Sequence, residues 1–303
     1  MTSNDLYAEM EAILAEVGEL LGISMGEVRL LRLHSNALFV VPGPDLLIRI
    51  ATNPDAFGRT RFSVKVTRLL ANRDFPCVVP AEIDGQPYVV RDRVVSFWRY
   101  VKTMPAPPPS SRELGDILRR LHAQPLPVDV GRFADPLESV ARAVETVREG
   151  VSRNHRDWLA HRIAELRRAW AEIEFPHALG LIHGDAHPGN LMREPSGRVI
   201  LGDWDHVAAG PREWDLMQIH YMHRRFGRGS AGQLDEFADA YGWDIRPWPG
   251  LDLLVAIREL SGLSPYIRTA SVKEFSREEL AHRMDSLRKG DSAARWSSPP
   301  AEA

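Results

Sequence analysis

The stretch from Met104 to Ser111, with prolines at 105, 107, 108 and 109, constrains this chain more than any other. Proline fixes φ and has no N–H to donate, so the stretch can join neither a helix interior nor a central strand. It acts as a stiff spacer, and the patterning changes across it. Short apolar runs punctuated by turn residues dominate before it. Helical periodicity dominates after it. The 303 residues suit one two-part unit or two small domains, with ample length for a sizeable core.

In the first part, Leu6, Met10, Leu14, Val17 and Leu21 recur at helical spacing, and Gly22 ends the helix. Ala37–Val41 and Leu46–Ala51 flank Pro42, Gly43, Pro44 and Asp45 and predict a hairpin. Within the second run, Leu47 and Arg49 share one face, and Ile48 and Ile50 the other. Phe62, Val66, Leu69 and Leu70 predict a helix ending near Asn72. Tyr88–Val90 and Val94–Tyr100 predict two more strands.

Beyond the prolines, Ser110 and Glu113 fit a capping box that opens a helix through Leu114, Ile117, Leu118 and Leu121. Leu159, Ile163, Leu166, Trp170 and Ile173 predict a long amphipathic helix. The charged run Arg162–Glu174 is its solvated face. Nearly all of this part reads as helix except residues 180–205. The tail 290–303, rich in Ser, Pro and Ala, predicts disorder.

Composition narrows the function classes. A net charge of −3 leaves no basic field for nucleic acid or a membrane surface. Cys77 is the single cysteine, so neither an internal disulfide nor a cysteine zinc site can form. The first residues are polar and acidic rather than signal-like, and no apolar run approaches the ~18 residues of a membrane span. These features predict a cytoplasmic protein.

The chemistry concentrates in residues 181–205, LIHGDAHPGNLMREPSGRVILGDWD. His183-Gly184-Asp185 and Asn190 stand in a loop. Val199-Ile200-Leu201 is a short apolar strand that delivers Asp203 and Asp205 at its end, and Ser196-Gly197 suits a turn. Phosphoryl transfer needs a carboxylate to accept the acceptor's hydroxyl proton and hard oxygens to ligate Mg²⁺. Asp185, Asn190 and Asp203 supply that set. The spacing from Asp185 to Asn190 is that of the protein-kinase catalytic loop, and an Asp after a strand is that of the kinase metal site.

With HGDAHPGN, LGDWD and GPREWDL in order, the chain resembles the aminoglycoside phosphotransferase and choline kinase-like family of small-molecule kinases. The resemblance runs over roughly residues 30–225. It implies an α+β, bilobal protein-kinase-like fold, with a small β-rich N-terminal lobe and a larger, mainly helical C-terminal lobe. Residues 1–101 would be the nucleotide-binding lobe, with a hinge about 97–103, and residues 104–289 the catalytic and acceptor-binding lobe. The implied reaction is transfer of the γ-phosphoryl group of ATP or GTP, with Mg²⁺, to a hydroxyl of a small molecule: an aminoglycoside-like or peptide antibiotic, an amino sugar or another metabolite. A monomer or homodimer without nucleic-acid or membrane partners is implied.

Carried onto this sequence, the resemblance makes Asp185 the catalytic base and His183 a shaper of its loop. Asn190 and Asp203 become metal ligands, and Asp215 a structural brace. Arg49 takes the position of the phosphate-binding cation. Ser35 and Asn36 lie in a nucleotide-positioning turn that has no Gly-rich pattern. Tyr100 and Val101 sit at the hinge. Asp205, His187 and Glu259 are candidates for the acceptor side, where the acids Asp235, Glu236, Asp239, Asp244 and Asp252 would also suit a cationic acceptor. Trp243 and Trp248 could stack on a sugar or belong to the core.

One departure stands out. The helix after β-hairpin 37–51 should offer a Glu facing Arg49, yet Ser63 occupies that register and no acid occurs between Gly58 and Arg73. Two other readings follow from the residues. The missing Glu allows a non-catalytic nucleotide-binding pseudokinase. His183, Asp185, His187, Asp203, Asp205 and His206 resemble the ligand cluster of a metal-dependent hydrolase, although such an enzyme has no use for a β-rich lobe and hinge.

Overall fold

A computed structural model describes residues 3–33, 36–43, 45–53, 56–104, 106–133, 135–147 and 149–298. They form two compact units. Unit 1 comprises residues 1–109 and 190–207, and unit 2 comprises 110–189 and 208–303.

Unit 1 begins with helix α1 (Ser3–Leu21), which Gly22 ends at φ +64°. β1 (Arg29–Leu33), β2 (Asn36–Val41), β3 (Leu46–Ala51), β4 (Tyr88–Val90) and β5 (Arg93–Arg99) form an antiparallel sheet of order β1-β2-β3-β5-β4. Alternation decides which face is buried. Ile48 and Ile50 lie opposite Phe97 and Val95, and all four are fully buried against Met10, Ile13 and Val17 of α1. Each such side chain contributes roughly 1.5–3 kcal/mol of burial. Leu47 and Arg49 face the other way, Arg49 lying opposite Ser96. α2 (Phe57–Ala71) starts five residues before Phe62, because the polar stretch Gly58–Arg61 carries no apolar period. It buries Thr60, Ser63, Val64, Val66, Thr67 and Leu70.

Unit 2 opens where the proline stretch ends. Ser110 Oγ accepts from Glu113 N at 3.2 Å, and Glu113 Oε2 accepts from Ser110 N at 2.7 Å, a complete capping box. α3 (Ser111–His122), α4 (Glu138–Thr146) and α5 (Arg153–Glu172) follow, then the short strand β6 (Gly180–Ile182). α3 packs closely because position 115 is glycine: a Cβ there would meet the Phe237 carbonyl at 2.6 Å.

After the 3₁₀ turn Pro188–Asn190 the chain forms the hairpin β7 (Leu191–Arg193) and β8 (Val199–Leu201), with Gly197 at φ +88°. This hairpin belongs to unit 1, which corrects the simple division at the proline stretch. Two three-residue strands cannot bury a face alone. Instead Leu201 exchanges backbone bonds with Pro76 and Val78 (3.0 and 3.1 Å), and Trp204 meets Phe75 edge-on at 5.9 Å. Met104 N also donates to Arg193 O at 2.8 Å. Cys77 lies buried beside this hairpin, and burial pushes its thiol up to about 12.

Unit 2 resumes with β9 (Ala208–Gly210), paired antiparallel with β6. Then come α6 (Glu213–Phe226), α7 (Ala231–Tyr241), α8 (Gly250–Ser261), α9 (Ser264–Thr269) and α10 (Glu274–Lys289). The predicted disorder of the tail is corrected for residues 290–298. Trp296 is 4% exposed, donates Nε1–H to Ser286 Oγ at 3.1 Å, and has the guanidinium groups of Arg225 and Arg283 each 4.7 Å from its ring. A single well-seated tryptophan outweighs the polar composition around it. Residues 299–303 lie outside the described residues. Among the described residues no helix is long and apolar enough to cross a membrane.

Candidate active site

In unit 2, the loop after β6 is held by a buried carboxylate. Asp215 sits in the first turn of α6 with no exposed surface. Its Oδ2 accepts from His183 N at 2.7 Å, and its Oδ1 from Gly184 N at 2.8 Å. His122 Nε2 lies 3.1 Å from Oδ2, and His122 Nδ1 lies 2.9 Å from the Tyr241 hydroxyl. The tautomer that satisfies all three groups carries its proton on Nε2 and accepts the Tyr241 O–H at Nδ1. Burial raises the Tyr241 phenol above its ordinary value, so it remains a donor. A buried carboxylate with this many N–H donors makes charge-assisted bonds, the strong kind.

The loop is braced on its carbonyl side as well. Gly184, at φ +85°, accepts at its carbonyl from Trp214 Nε1 (2.9 Å) and Gln218 Nε2 (3.5 Å). His183 is fully buried, and its Nδ1 accepts from Asp185 N at 3.3 Å. The Asp185 side chain is about a quarter exposed. Its Oδ1 accepts from Arg258 of α8 at 2.8 Å, and its Oδ2 lies 3.9 Å from His187 Nε2. His187 Nδ1 accepts from Gly189 N at 3.0 Å, which turns Nε2 toward Asp185. Unit 2 thus brings together His183, Asp185, His187 and Asp215.

In unit 1, the second cluster stands at the end of the β7–β8 hairpin. Asn190 O accepts from Gly202 N at 2.8 Å, so Asn190 and Asp203 leave the same end of the ribbon. Asp203 is exposed and held at φ +58°, a left-handed conformation that costs a non-glycine residue about 1–3 kcal/mol. Trp204, 2% exposed and bonded through Nε1 to Leu201 O at 2.9 Å, anchors the backbone between Asp203 and Asp205. An amide and a carboxylate at one hairpin end are hard oxygen donors of the kind Mg²⁺ takes.

Asp205, a candidate for the acceptor side, is held within unit 1. Its Oδ2 receives the Arg49 guanidinium and, at 3.5 Å, Asn36 Nδ2. The Arg49 side chain is 12% exposed. This pair answers the missing helix Glu: the partner comes from the hairpin instead of α2. Ser63, in the register of that Glu, is 1% exposed, and its hydroxyl has no hydrogen-bond partner among the described residues. Tyr100 N donates to Asp45 O at 2.7 Å, and Val101 is half-buried. Ser35 lies outside the described residues.

Glu259, another candidate for the acceptor side, faces into unit 2. It is 5% exposed and accepts from Arg225 Nε at 2.5 Å. One step along a helix rotates a side chain by about 100°, so its neighbour Arg258 reaches Asp185 and Glu259 turns inward. Other acids counted toward a cationic acceptor are also engaged by arginines: Asp235 and Asp244 by Arg246 (2.7 and 2.8 Å), and Asp252 by Arg224 (2.7 Å). Trp243 packs against His177, and Trp248 against Phe175. Among the described residues no three or more His, Cys, Asp or Glu side chains gather as a metal-ligand group of the hydrolase kind.

Residues 28–254 match the sequence profile of the phosphotransferase enzyme family. No curated protein matches the chain in sequence. Solved structures do resemble it. An amicoumacin kinase, hAmiN, in complex with AMP-PNP, Ca²⁺ and Ami superposes with a TM-score of 0.74 at 11% identity, covering 98% of each chain. Choline kinase LicA from Streptococcus pneumoniae gives 0.62 at 16%, covering 92% of this chain and 99% of its own. Spectinomycin phosphotransferase APH(9)-Ia, with ADP and spectinomycin, gives 0.60 at 13%, covering 90% and 94%. The fold is therefore α+β and protein-kinase-like, with an antiparallel-sheet N-terminal part and a helical C-terminal part.

Proposed function

Because the chain belongs to the phosphotransferase enzyme family, we propose that this small-molecule kinase transfers the γ-phosphoryl group of ATP or GTP, with Mg²⁺, to a hydroxyl of a small molecule. The observation that carries this reading is the braced loop. Asp215 takes the amides of His183 and Gly184, and Trp214 and Gln218 take the Gly184 carbonyl. That frame fixes the backbone that carries Asp185. A general base must be held within hydrogen-bond reach of its proton, and phosphoryl transfer depends on such positioning more than on covalent chemistry by the protein.

Asp185 accepts the acceptor's hydroxyl proton as the oxygen attacks the γ-phosphorus, the bond from that phosphorus to the β,γ-bridging oxygen breaks, and the nucleoside diphosphate leaves. Asn190 and Asp203 would hold Mg²⁺, which when bound neutralises phosphate charge. Arg49 binds phosphate, and Asp205 and Asn36 hold Arg49. A cation so held supports catalysis over the pseudokinase reading, because the expected partner is replaced and not lost. The acceptor carries a hydroxyl. The solved relatives handle substrates as different as spectinomycin and choline, and the arginine-engaged acids of unit 2 give no added weight to a polycationic acceptor.

The test is Mg²⁺-dependent thermal stabilisation by ATP and by GTP. Nucleotide at a hundred times its Kd adds about 2.7 kcal/mol, a rise of about 5 °C for a chain of this size. Asp203→Ala removes the Mg²⁺-dependent part of that rise. The parent protein failing to shift with either nucleotide overturns the proposal.

A further inference from the structure

Arg258 donates directly to the Asp185 carboxylate, and nothing in the sequence motifs pointed to it. Its surroundings are specific. Nε donates to Gln218 Oε1 at 3.0 Å, one terminal nitrogen donates to Asp185 Oδ1 at 2.8 Å, and the guanidinium carbon lies 5.2 Å from the centre of the Tyr221 ring. About three-quarters of its side chain is buried. Gln218 is itself 1% exposed, and its other end donates to the Gly184 carbonyl at 3.5 Å.

These contacts close a ring. The backbone of the loop, at Gly184, bonds to Gln218, which bonds to Arg258. Arg258 then bonds to the side chain of Asp185, one residue along the same loop. Trp214, Asp215, Gln218 and Tyr221 recur at three- and four-residue spacing, so one stripe of α6 supplies Gln218 and the groups that flank the ring. Asp215 and Trp214 fix the loop's main chain, while Gln218 and Tyr221 fix the arginine. About 100° around α8, Glu259 is locked to Arg225, which itself donates to Asp291 O at 2.7 Å. That lock sets the rotation of α8 from which Arg258 projects.

We infer that Arg258 is a positioning residue for the phosphoryl-transfer base, its planar fork spanning Gln218 and Asp185 so that the carboxylate is held in one rotamer with Oδ2 turned to take the acceptor's proton. The inference rests on the kinase reading above. The fork matters because a guanidinium offers donors in fixed directions, whereas an ammonium on a flexible stem cannot reproduce the two-point span. Removing it costs positional precision at the reacting atom, where a displacement of about 1 Å can lower a rate about a hundredfold.

The experiment measures phosphate release from MgATP and MgGTP with water as acceptor. Transfer to whichever hydroxyl compound a screen identifies provides a second assay. Arg258→Met is expected to lower kcat by roughly 30- to 100-fold with the nucleotide KM within about threefold of the parent. Arg258→Lys stays at least tenfold down, because charge alone does not span the two partners. Millimolar guanidinium restores part of the activity of Arg258→Ala, which repair of a merely structural defect would not do. A folded Arg258→Met with parental kcat, a lysine variant that recovers it, or a change confined to nucleotide KM each overturns the inference. Should Arg258→Met fail to fold, Gln218→Met decides. A fall in kcat of about three- to tenfold with unchanged nucleotide KM upholds the ring, and parental kcat overturns it. A parent protein that turns over neither nucleotide with any acceptor condemns the kinase reading instead, so the two failures are distinct.

Discussion

In unit 1, Arg49 of β3 meets Asp205 beyond β8, and in unit 2, Arg258 of α8 meets Asp185 beyond β6. Both pairs join a rigid element to a loop, and both leave 12–26% of each side chain exposed. Their division of labour is opposite. In unit 1 the arginine is the group proposed to touch substrate and the aspartate holds it. In unit 2 the aspartate is the group proposed to do the chemistry and the arginine the group proposed to hold it. On this proposal the same ion pair presents a cation in one place and an anion in the other. Which member is presented depends on which one the surrounding scaffold grips. Arg258 is gripped by Gln218 and Tyr221, whereas Asp205 is gripped through Trp204, its buried neighbour.

The comparison breaks most visibly at the working groups. Asp185→Asn keeps the shape of the side chain but cannot take a proton, and general-base loss costs about 10²–10⁴-fold. Turnover is expected to fall by that amount while thermal stabilisation by Mg²⁺-nucleotide stays at the parental value. Turnover within a few-fold of the parent would show that Asp185 is not the base.

The holding group of unit 1 gives a smaller and different effect. Asp205→Ala leaves Arg49 without its carboxylate, and a partly exposed pair of this kind is worth about 1 kcal/mol, or roughly fivefold in affinity. The expected result is a nucleotide KM raised about fivefold at near-parental kcat. That pattern is the reverse of Arg258→Met, where kcat falls and KM holds. If Asp205→Ala instead lowers kcat at unchanged nucleotide KM, the parallel fails and Asp205 works on the acceptor side.

The difference between the pairs also explains what could be read in advance. Arg49 was legible because β3 alternates cleanly: Ile48 and Ile50 go to the core, so Arg49 must face away. The HGD loop and the Asp-Trp-Asp strand end were legible because their spacing carries chemistry. Arg258 was not legible. In α8 the residues Leu251, Leu254, Val255, Ile257, Glu259 and Leu260 are all buried, so the pattern is apolar around most of the helix and gives no phase to tell Arg258 from Glu259. Only the tertiary fold decides, because Arg225 on α6 captures Glu259. The affiliation of residues 190–207 with unit 1 escaped for a similar reason. It depends on Phe75, Pro76 and Val78 meeting Leu201 and Trp204, contacts between residues far apart in sequence. The tail was misjudged because averaged composition conceals one tryptophan with two arginines waiting for it.

The smallest effect tests whether α2 has any part in the unit 1 pair. Ser63 sits in the register where the family resemblance leads one to look for a Glu, yet Asp205 supplies the carboxylate. The Ser63 hydroxyl is left buried with no hydrogen-bond partner among the described residues. A buried hydroxyl without a partner costs about 1–3 kcal/mol, and alanine is also the better helix former by a few tenths. Ser63→Ala is therefore expected to stabilise the protein by about 1 kcal/mol, a rise of about 2 °C in Tm, with nucleotide KM unchanged. An altered KM would mean that the hydroxyl takes part in holding Arg49, and the pair in unit 1 would then have a second holder on α2, as Asp185 has its second constraint in the braced loop. An unchanged KM with higher stability leaves α2 as packing alone and the hairpin as the sole source of the carboxylate that the helix fails to provide.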